Sequence, residues 1–569
     1  MIEKDIKGKI QKALNELGIQ AETISLEHPA DLSHGDYSTN VALAYAKQAG
    51  KNPRALAEEL IPRLNLDMEV EIAGPGFINF RLPNTFFAEA VAEISKKGKD
   101  WGKNDILSGK KVMVEYTQPN PFKPFHIGHL MSNAIGESIS RIVEFSGAKT
   151  IRANYQGDIG PHVAKAMWAI MKKGVPQSTA ENTTTVITAA NFIGECYVEG
   201  STAYEEDPVA KEEIDAINKK IYEGTDSEIN KIYEWGRRTT LLAFEIIYQT
   251  LGTKFDYYFF ESEMAPIGTK IVKENMPKVF EESDGAIVFK AERYDPKLHT
   301  RVFINSKGLP TYETKEVGLT VTKFEKENPD ISIITTAIEQ AEYMKVVEKA
   351  VSLIHPEYSA RMKHVTHGMM RFATGKMSSR KGNVVTGESL LRDVQEVVQE
   401  KMTERDFSEE ERKKIAAQVG VAALKYSILK QALGGDIIYD FEKSISFEGD
   451  SGPYLQYACV RAHAVLEKAK KEGLKSNTTL PENWMATDIE KYLYRFPETV
   501  SRAYQDLEPH HIATYLIELA SLFNSFYAQH QIVNKDDVSS PYKLALTEAY
   551  LATMKNGLHL LGIQVPEKM

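Results

Sequence analysis

A short apolar strand followed by an amphipathic helix is the clearest local pattern in the chain. Residues 112–116 are mostly apolar, and a proline-rich turn at 119–124 follows them. The next stretch keeps its apolar side chains on one helical face, at Leu130, Ala134, Ile135, Ile139, Ile142 and Val143. Residues 150–155 then fit a second strand, so the pattern predicts a parallel strand, helix and strand unit.

The hydrophobic pattern changes twice along the chain and so predicts three regions. Residues 1–100 alternate helix-like and strand-like segments, which indicates an α+β domain. Residues 105–387 hold the strand and helix unit and indicate an α/β domain with insertions at about 165–310. Residues 388–569 are helical in pattern throughout.

Size and composition fit a protein of several domains with full hydrophobic cores, since the chain has 569 residues, of which 42% are hydrophobic. It has no long apolar run and begins with a charged amphipathic segment, so we expect a cytoplasmic protein without a membrane partner. Cys196 and Cys459 are too few for a disulfide framework or a cysteine-rich metal site, and we expect no structural zinc.

The net charge of −10 argues against nucleic-acid binding only weakly. Binding depends on the local field of basic patches and not on the overall sum. Candidate patches are Arg371 with Arg380 and Lys381, and Arg461 with Arg502. A nucleic-acid partner therefore stays open on charge alone.

The turn before the first helix ends in His126-Ile127-Gly128-His129. A helix N-terminus presents free N–H groups and partial positive charge to anions, and imidazole donors beside it can stabilise a phosphate under attack. Gly128 lets a ligand approach the backbone. Taken alone, the four residues also fit an ordinary turn that contains two histidines.

A second candidate segment is the basic loop 375–382, Gly-Lys-Met-Ser-Ser-Arg-Lys-Gly. Its charges and hydroxyls between glycines suit a clamp on a triphosphate. Judged alone, the segment fits a solvated basic loop equally well.

Together, in this order, the two segments resemble the HIGH and KMSKS signatures of class I aminoacyl-tRNA synthetases. The resemblance implies a Rossmann-like α/β catalytic domain, an α+β N-terminal domain and an all-α C-terminal anticodon-binding domain. It implies ATP as substrate with Mg²⁺, and transfer of the activated amino acid to tRNA. The residues it assigns to ATP are His126, Gly128, His129, Met369, Lys376, Met377, Ser378, Ser379 and Arg380, with His126, His129 and Lys376 as catalytic groups.

A second set of residues resembles the amino-acid pocket of the arginyl-tRNA synthetase family. The set is Glu115, Asn120, Tyr312, Glu316 and Gln340. A guanidinium is a planar fork of donors that pairs with carboxylates, and the amino acid's own ammonium and carboxylate suit an amide, so the chemistry agrees with arginine. The family usually has Asp where Glu316 stands, which puts the detailed geometry at this position in question.

The basic clamp departs from its signature, because Ser379 stands where the second lysine is expected. The transition state spreads charge over the phosphates, so another cation should replace that lysine. Lys123, three residues before His126 in the proline-rich turn, is our candidate catalytic group, and Arg380 and Lys381 are its rivals.

Other stretches extend the resemblance to tRNA contacts. Tyr37 and Asn40 lie in a segment that resembles the tRNA-contacting stretch of the family's N-terminal domain, and Tyr454 and Tyr457 could stack on anticodon bases. The segment 157–160, Gly-Asp-Ile-Gly, resembles a Gly-Asp-Trp-Gly element near the reactants but lacks its tryptophan.

The preferred function is therefore an arginine–tRNA ligase that acts as a monomer on L-arginine, ATP and tRNA(Arg). A lysyl-type class I enzyme, a non-catalytic tRNA-binding paralogue and a small HIGH-type nucleotidyltransferase fused to a helical domain stay open as alternatives.

Overall fold

The computed structural model describes residues 2–176, 182–373, 386–402 and 407–569. The strands, in chain order, are β1 (Tyr37–Thr39), β2 (Glu69–Ala73), β3 (Phe77–Arg81), β4 (Lys111–Glu115), β5 (Lys149–Gln156), β6 (Tyr257–Phe260), β7 (Glu281–Ser283), β8 (Ala286–Phe289), β9 (Arg301–Ile304), β10 (Ile331–Ala337), β11 (Met362–His367), β12 (Met370–Phe372) and β13 (Ile437–Tyr439). The helices are α1 (Ile2–Glu16), α2 (Val41–Ala49), α3 (Pro53–Leu64), α4 (Asn84–Lys97), α5 (Ile127–Phe145), α6 (Pro161–Lys173), α7 (Thr183–Glu206), α8 (Pro208–Glu223), α9 (Ser227–Leu251), α10 (Glu261–Glu274), α11 (Tyr312–Glu327), α12 (Ala341–Ile354), α13 (Pro356–Ser359), α14 (Gly387–Lys401), α15 (Glu409–Leu429), α16 (Phe441–Ser444), α17 (Gly452–Lys471), α18 (Asp488–Leu493), α19 (Phe496–Asp506), α20 (His510–Gln529) and α21 (Ser540–Leu560).

Two compact units make up the chain. The first contains Met1–Trp101, Arg461–Phe496 and Glu518–Met554, and the second contains Gly102–Val460, Pro497–Ile517 and Lys555–Met569. The helical C-terminal region therefore contributes segments to both units, whereas the N-terminal segment belongs wholly to the first.

The first unit is built on a three-stranded antiparallel sheet of order β1-β3-β2. Apolar side chains of α1, α3 and α4, including Ile6, Leu56 and Phe87, pack into one core with Phe80 of the central strand. Its helical part supplies Tyr494, which packs into the same core. This unit has the α+β character that its alternating pattern predicts.

The second unit is centred on a parallel sheet of order β11-β10-β4-β5-β6. Val114 in the central strand is paired with Ile333 of β10 and Arg152 of β5, so the strands run side by side in parallel register. All carboxyl ends of the strands consequently meet at one edge, which is where open α/β sheets bind ligands. The predicted α/β fold class is confirmed.

Helix α5 follows β4 and lies close against it. A Cβ atom added at Gly136 would come within 2.2 Å of the Tyr116 side chain, so this contact requires glycine. In the second half of the helix, Ser138 Oγ donates to the carbonyl of Leu560 at 2.8 Å, and the Arg141 guanidinium donates to the carbonyl of His559 at 3.0 Å. The last residues of the chain thus pack on the same helix whose first turn carries the histidine motif.

A buried lysine in the second unit joins the end of α9 to the turn that follows α21. Lys425 Nζ donates to the carbonyl of Leu251 at the end of α9, at 2.7 Å, and to that of Gly562, at 2.9 Å. Burial lowers the pKa of Lys425 to about 7. The side chain satisfies carbonyl groups that a helix end or terminal turn leaves without partners.

The segment between β5 and β10 adds several helices and a second sheet to this unit. Helices α7, α8 and α9 pack on α6 through a core that includes Met167, Ile193 and Ile214. After β6 and α10, a separate antiparallel sheet of order β7-β8-β9 precedes α11. Helices α10 and α11 pack closely, and a Cβ atom at Gly268 would lie 1.9 Å from the Thr314 carbonyl oxygen.

Candidate functional site

A cavity of about 630 Å³ opens at the carboxyl edge of the parallel sheet in the second unit. Its volume is that of a typical small-molecule site. Residues of the turn between β4 and α5, the ends of β5 and β10, and the helices α10, α11 and α12 line it. The predicted site residues that line it are Asn120, His126, Gly128, His129, Tyr312, Glu316, Gln340 and Met369.

The turn between β4 and α5 has an unusual backbone. Thr117, Gln118 and Phe122 have φ angles of 78°, 54° and 66°, a region of backbone conformation that residues other than glycine rarely adopt. Three side chains accept hydrogen bonds from these N–H groups: Ser132 Oγ from Thr117 at 3.0 Å, Asn154 Oδ1 from Gln118 at 3.2 Å and Thr240 Oγ1 from Phe122 at 3.4 Å. The acceptors belong to α5, β5 and α9, so three elements fix one turn.

His126 and His129 lie together at the start of α5. Their rings stack with centroids 3.5 Å apart. The backbone N–H of His126 donates to Nδ1 of His129 at 3.2 Å, so in neutral His129 the ring proton is on Nε2. Burial, with the charge of Lys123, lowers the pKa of His126 to about 4, and burial lowers that of His129 well below its usual value. Near neutral pH both rings are therefore uncharged N–H donors.

Lys123 supplies the positive charge near these rings. Its ammonium group lies 5.2 Å from the centre of the Tyr197 ring, and its charge lowers the pKa values of both histidines. Lys123 has no ion pair with any residue in the described parts of the chain. It does not line the cavity itself, although its charge acts on both histidines, which do.

Glu115, predicted as a ligand of the guanidinium, lies behind the cavity wall. Its Oε2 is 2.7 Å from Lys323 Nζ, and both side chains are 1% exposed. Its Oε1 accepts a hydrogen bond from Gln118 Nε2 at 2.7 Å. Gln118 lines the cavity and Glu115 does not. Glu115 therefore influences the site through its hydrogen bond to the side-chain amide of Gln118.

Glu261 is a cavity residue that sequence reasoning missed. It is the first residue of α10, directly after β6, and its Oε2 lies 2.6 Å from Lys315 Nζ. Burial raises the pKa of the Glu261 carboxyl, and Lys315 opposes that shift. An acid directly after a strand was the available signal, because such residues lie at the edge where parallel sheets bind ligands.

Glu316 is the buried carboxylate that lacks a partner in the cavity. It lines the space, is 4% exposed and makes no ion pair or hydrogen bond with the residues that the structure describes. Burial, reinforced by the negative charge of Glu115, raises the pKa of Glu316 to about 8. A cation entering the cavity could therefore pair with this buried carboxyl group without displacing another cation from it.

Three other predicted pocket residues, Asn120, Tyr312 and Gln340, line the same cavity as Glu316. Asn120 Oδ1 accepts a hydrogen bond from the N–H of Gly157 at 3.1 Å. Gln340 lies directly before α12, and Tyr312 is the first residue of α11 and is 59% exposed. Amide, phenol and carboxylate groups thus face one space, and this set can hold a polar, positively charged small molecule.

The remaining predicted residues are not among the described residues that line the cavity. Lys376, Met377, Ser378, Ser379 and Arg380 fall outside the described residues. The Tyr37 ring is buried in the core of the first unit, with its centroid 4.4 Å from that of His28, whereas Asn40 is exposed. Tyr454 and Tyr457 are both half-buried on α17.

Two further observations concern metals and membranes. In residues 2–176, 182–373, 386–402 and 407–569, no group of three or more His, Cys, Asp or Glu side chains is arranged to hold a metal ion. Over the same ranges, none of the helices combines the length and the apolar character that crossing a membrane requires.

Three family models match consecutive parts of the chain. Residues 91–441 match the catalytic domain of class I tRNA synthetases (R), residues 455–569 the DALR anticodon binding domain, and residues 3–82 the arginyl tRNA synthetase N terminal domain.

Curated relatives match over essentially the full chain. An arginine–tRNA ligase of Clostridium botulinum (strain Alaska E43) is 31% identical and covers 99% of this chain and 100% of its own length. One from Borreliella afzelii is 29% identical and covers 100% and 99%. Among solved structures, Thermus thermophilus arginyl-tRNA synthetase has a TM-score of 0.80 at 26% identity and covers all of both chains. The Plasmodium falciparum arginyl-tRNA synthetase structure shares the fold, with a TM-score of 0.78 at 20% identity and coverage of 100% and 98%.

Proposed function

Because this chain belongs to the arginyl-tRNA synthetase family and is an arginine–tRNA ligase, we propose that its cavity binds arginine beside ATP and forms arginyl-adenylate there. ATP-dependent activation is the reaction of the class, and arginine, ATP and tRNA are its substrates. The lysyl-type and non-catalytic alternatives are not favoured.

Adenylation needs a nucleophile, a stabilised phosphate and a leaving group. The arginine carboxylate attacks the α-phosphorus in line, and pyrophosphate departs with its magnesium ion. Neutral His126 and His129 donate N–H groups to the phosphate oxygens, and the helix N-terminus beside them adds partial positive charge. Such donors are fixed before the reaction, so they need little reorganisation when charge develops.

Glu316 is the proposed partner of the guanidinium, and its unpaired, buried carboxylate is the observation that carries the proposal. Glu115 and Glu261 already have lysine partners, whereas Glu316 has none among the described residues. A guanidinium matches a carboxylate in two parallel hydrogen bonds. Asn120, Tyr312 and Gln340 then line the part of the cavity proposed for the rest of the amino acid.

Transfer follows adenylation. The 2′-hydroxyl of the terminal adenosine of tRNA attacks the carbonyl carbon of arginyl-adenylate, and AMP leaves. For tRNA contacts we propose exposed Asn40 and the half-buried Tyr454 and Tyr457. For Tyr37 we propose a packing role, because its ring is 1% exposed. We further propose a cytoplasmic monomer without structural zinc.

The first prediction concerns pH. Below about pH 8 the Glu316 carboxyl is protonated and neutral, so arginine binding must first release that proton. The Michaelis constant for arginine should therefore fall as pH rises from 6 to 8, by at most about tenfold per pH unit, and then level off. The measurement is arginine-dependent ATP–pyrophosphate exchange in the presence of tRNA, with the Michaelis constant for ATP followed in parallel.

Two variants control this prediction. Glu316→Gln should abolish the pH step and weaken arginine binding strongly, because a neutral amide cannot pair with the cation. Glu316→Asp should keep both the step and the activity. A Glu316→Gln enzyme with the parental arginine constant and pH profile would remove Glu316 from the site.

The second prediction concerns Lys123. If its charge replaces the lysine missing at Ser379, Lys123→Ala should lower the adenylation rate by about 10²–10³-fold, the usual loss for one charge-stabilising group, with little change in arginine affinity. Single-turnover formation of the adenylate measures this rate. Ser379→Lys added to Lys123→Ala should restore part of the loss.

The rivals of Lys123 provide the opposing outcome. A Lys123→Ala enzyme with near-normal adenylation, alongside an inactive Arg380→Ala or Lys381→Ala enzyme, would assign the compensating charge to the basic loop.

The third prediction is that tRNA is needed for the first step. Part of the tRNA binding energy should go into ordering the active site, so exchange without tRNA should be barely detectable at saturating arginine and ATP. Total tRNA should restore it, and tRNA with its terminal adenosine oxidised should restore it too, since exchange needs docking and not transfer. Robust exchange without tRNA would contradict this expectation.

A further inference from the structure

His162 is a buried histidine that the proposed chemistry does not use. It lies in the first turn of α6, is 6% exposed and lines no part of the cavity. Its Nε2 is 2.7 Å from the carbonyl oxygen of Gly157, five residues earlier in the loop after β5. The ring therefore spans the loop that joins strand β5 to helix α6.

The partner of His162 determines its protonation state. A backbone carbonyl only accepts hydrogen bonds, so Nε2 must carry the proton. Burial lowers the pKa of His162 to about 3, and the charge of Lys123 acts in the same direction. The imidazole is consequently neutral, with its single N–H directed at Gly157.

Gly157 in turn contacts two groups of the cavity. Its N–H donates to Asn120 Oδ1 at 3.1 Å. A Cβ atom added at Gly157 would lie 2.6 Å from that oxygen and 3.1 Å from Glu261 Oε1. Gly157 therefore lies close to both Asn120 and Glu261, with no room for a side chain between it and them.

The hydrogen bond also fixes which way the Asn120 amide faces. Because Gly157 is the donor, the acceptor must be the amide oxygen, and the Nδ2 group is left as the donor. No described residue accepts a hydrogen bond from Asn120 Nδ2, and Asn120 lines the cavity. Two N–H donors are thus available to an anionic ligand group such as the carboxylate of an amino acid.

We propose that His162 is a positioning residue: through the Gly157 backbone it holds the Asn120 amide with its N–H donors towards the carboxylate of arginine. The proposal rests on the assignment of Asn120 to the arginine site. It gives the loop after β5 a role in orienting the attacking nucleophile, which is a part of catalysis that depends on geometry.

A double-mutant cycle tests this linkage, with kcat and KM for arginine measured by ATP–pyrophosphate exchange in the presence of tRNA(Arg). Asn120→Ala should lower kcat/KM by about 10–100-fold, the usual loss for a hydrogen bond to a charged group. His162→Phe should lower it by roughly tenfold, and by less than about twofold when Asn120 is already alanine, because the amide it positions is then absent. His162→Gln, which keeps an N–H donor, should retain most of the activity.

Trp168→Phe is the matched control, since Trp168 lies on the same helix and donates to Glu213 at 2.6 Å, away from the cavity. Its effect should add to that of Asn120→Ala. If His162→Phe does not fold, as judged by circular dichroism, His162→Asn replaces it, because its shorter amide does not reach Gly157.

The possible failures are distinguishable. Additive losses for His162 and Asn120 would overturn the positioning role and leave the Asn120 assignment standing. Normal arginine kinetics in Asn120→Ala would overturn both the positioning role of His162 and the assignment of Asn120 to the arginine site. The function as an arginine–tRNA ligase would still stand, provided that the parent enzyme charges tRNA with arginine.

Discussion

The strained turn between β4 and α5 is the constraint on which the site depends. Three of its residues hold φ angles that cost about 1–3 kcal/mol each. Hydrogen bonds to Ser132, Asn154 and Thr240 offset that cost and come from three different elements. Because the turn is fixed from three sides, Gln118 and Asn120 enter the cavity and α5 starts with both histidines at its edge. If the turn were not fixed, Gln118, Asn120 and the two histidines would not be held in fixed positions relative to one another.

Charge is distributed along the cavity in a way that matches the two reactants. Glu115 and Glu261 are each paired with a buried lysine, whereas the Glu316 carboxyl has no lysine partner among the described residues and, with its pKa raised to about 8, becomes negative only when it gives up its proton. His126 and His129 are neutral near pH 7, and Lys123 places a positive charge near both rings. The cavity therefore offers an acid to a cationic side chain, and it offers neutral N–H donors with a cation nearby to an anionic phosphate. The buried pairs also explain why Glu115→Gln would be a poor test of binding, since it would leave Lys323 charged and unpaired.

The local sequence pattern predicted the strand and helix that carry the site. It did not predict contacts between residues far apart in the sequence. The strand before Glu115 and the helix after His126 follow from apolar spacing, whereas the family resemblance is what grouped Asn120, Glu316 and Gln340, which line the cavity. The pairing of Lys323 with Glu115 joins residues 208 positions apart, and no periodicity indicates it. Tyr37 has the alternation of a strand residue, yet only the packing of the first unit shows that its ring faces the core. The basic loop stays a prediction, because its residues 376–380 lie outside the described ranges.

The helix that presents the histidines also connects the active site to the end of the chain. Ser138 and Arg141, on the second half of α5, bond to Leu560 and His559, and Lys425 joins Gly562 to the end of α9. Gln456 Nε2 adds a hydrogen bond to the carbonyl of Gln564 at 2.6 Å. Deleting the chain from residue 453 onward would thus remove partners of the catalytic helix itself. A truncated protein could lose activity because α5 has lost these hydrogen bonds and not because tRNA binding is lost. The dependence on tRNA therefore has to be measured on the complete chain.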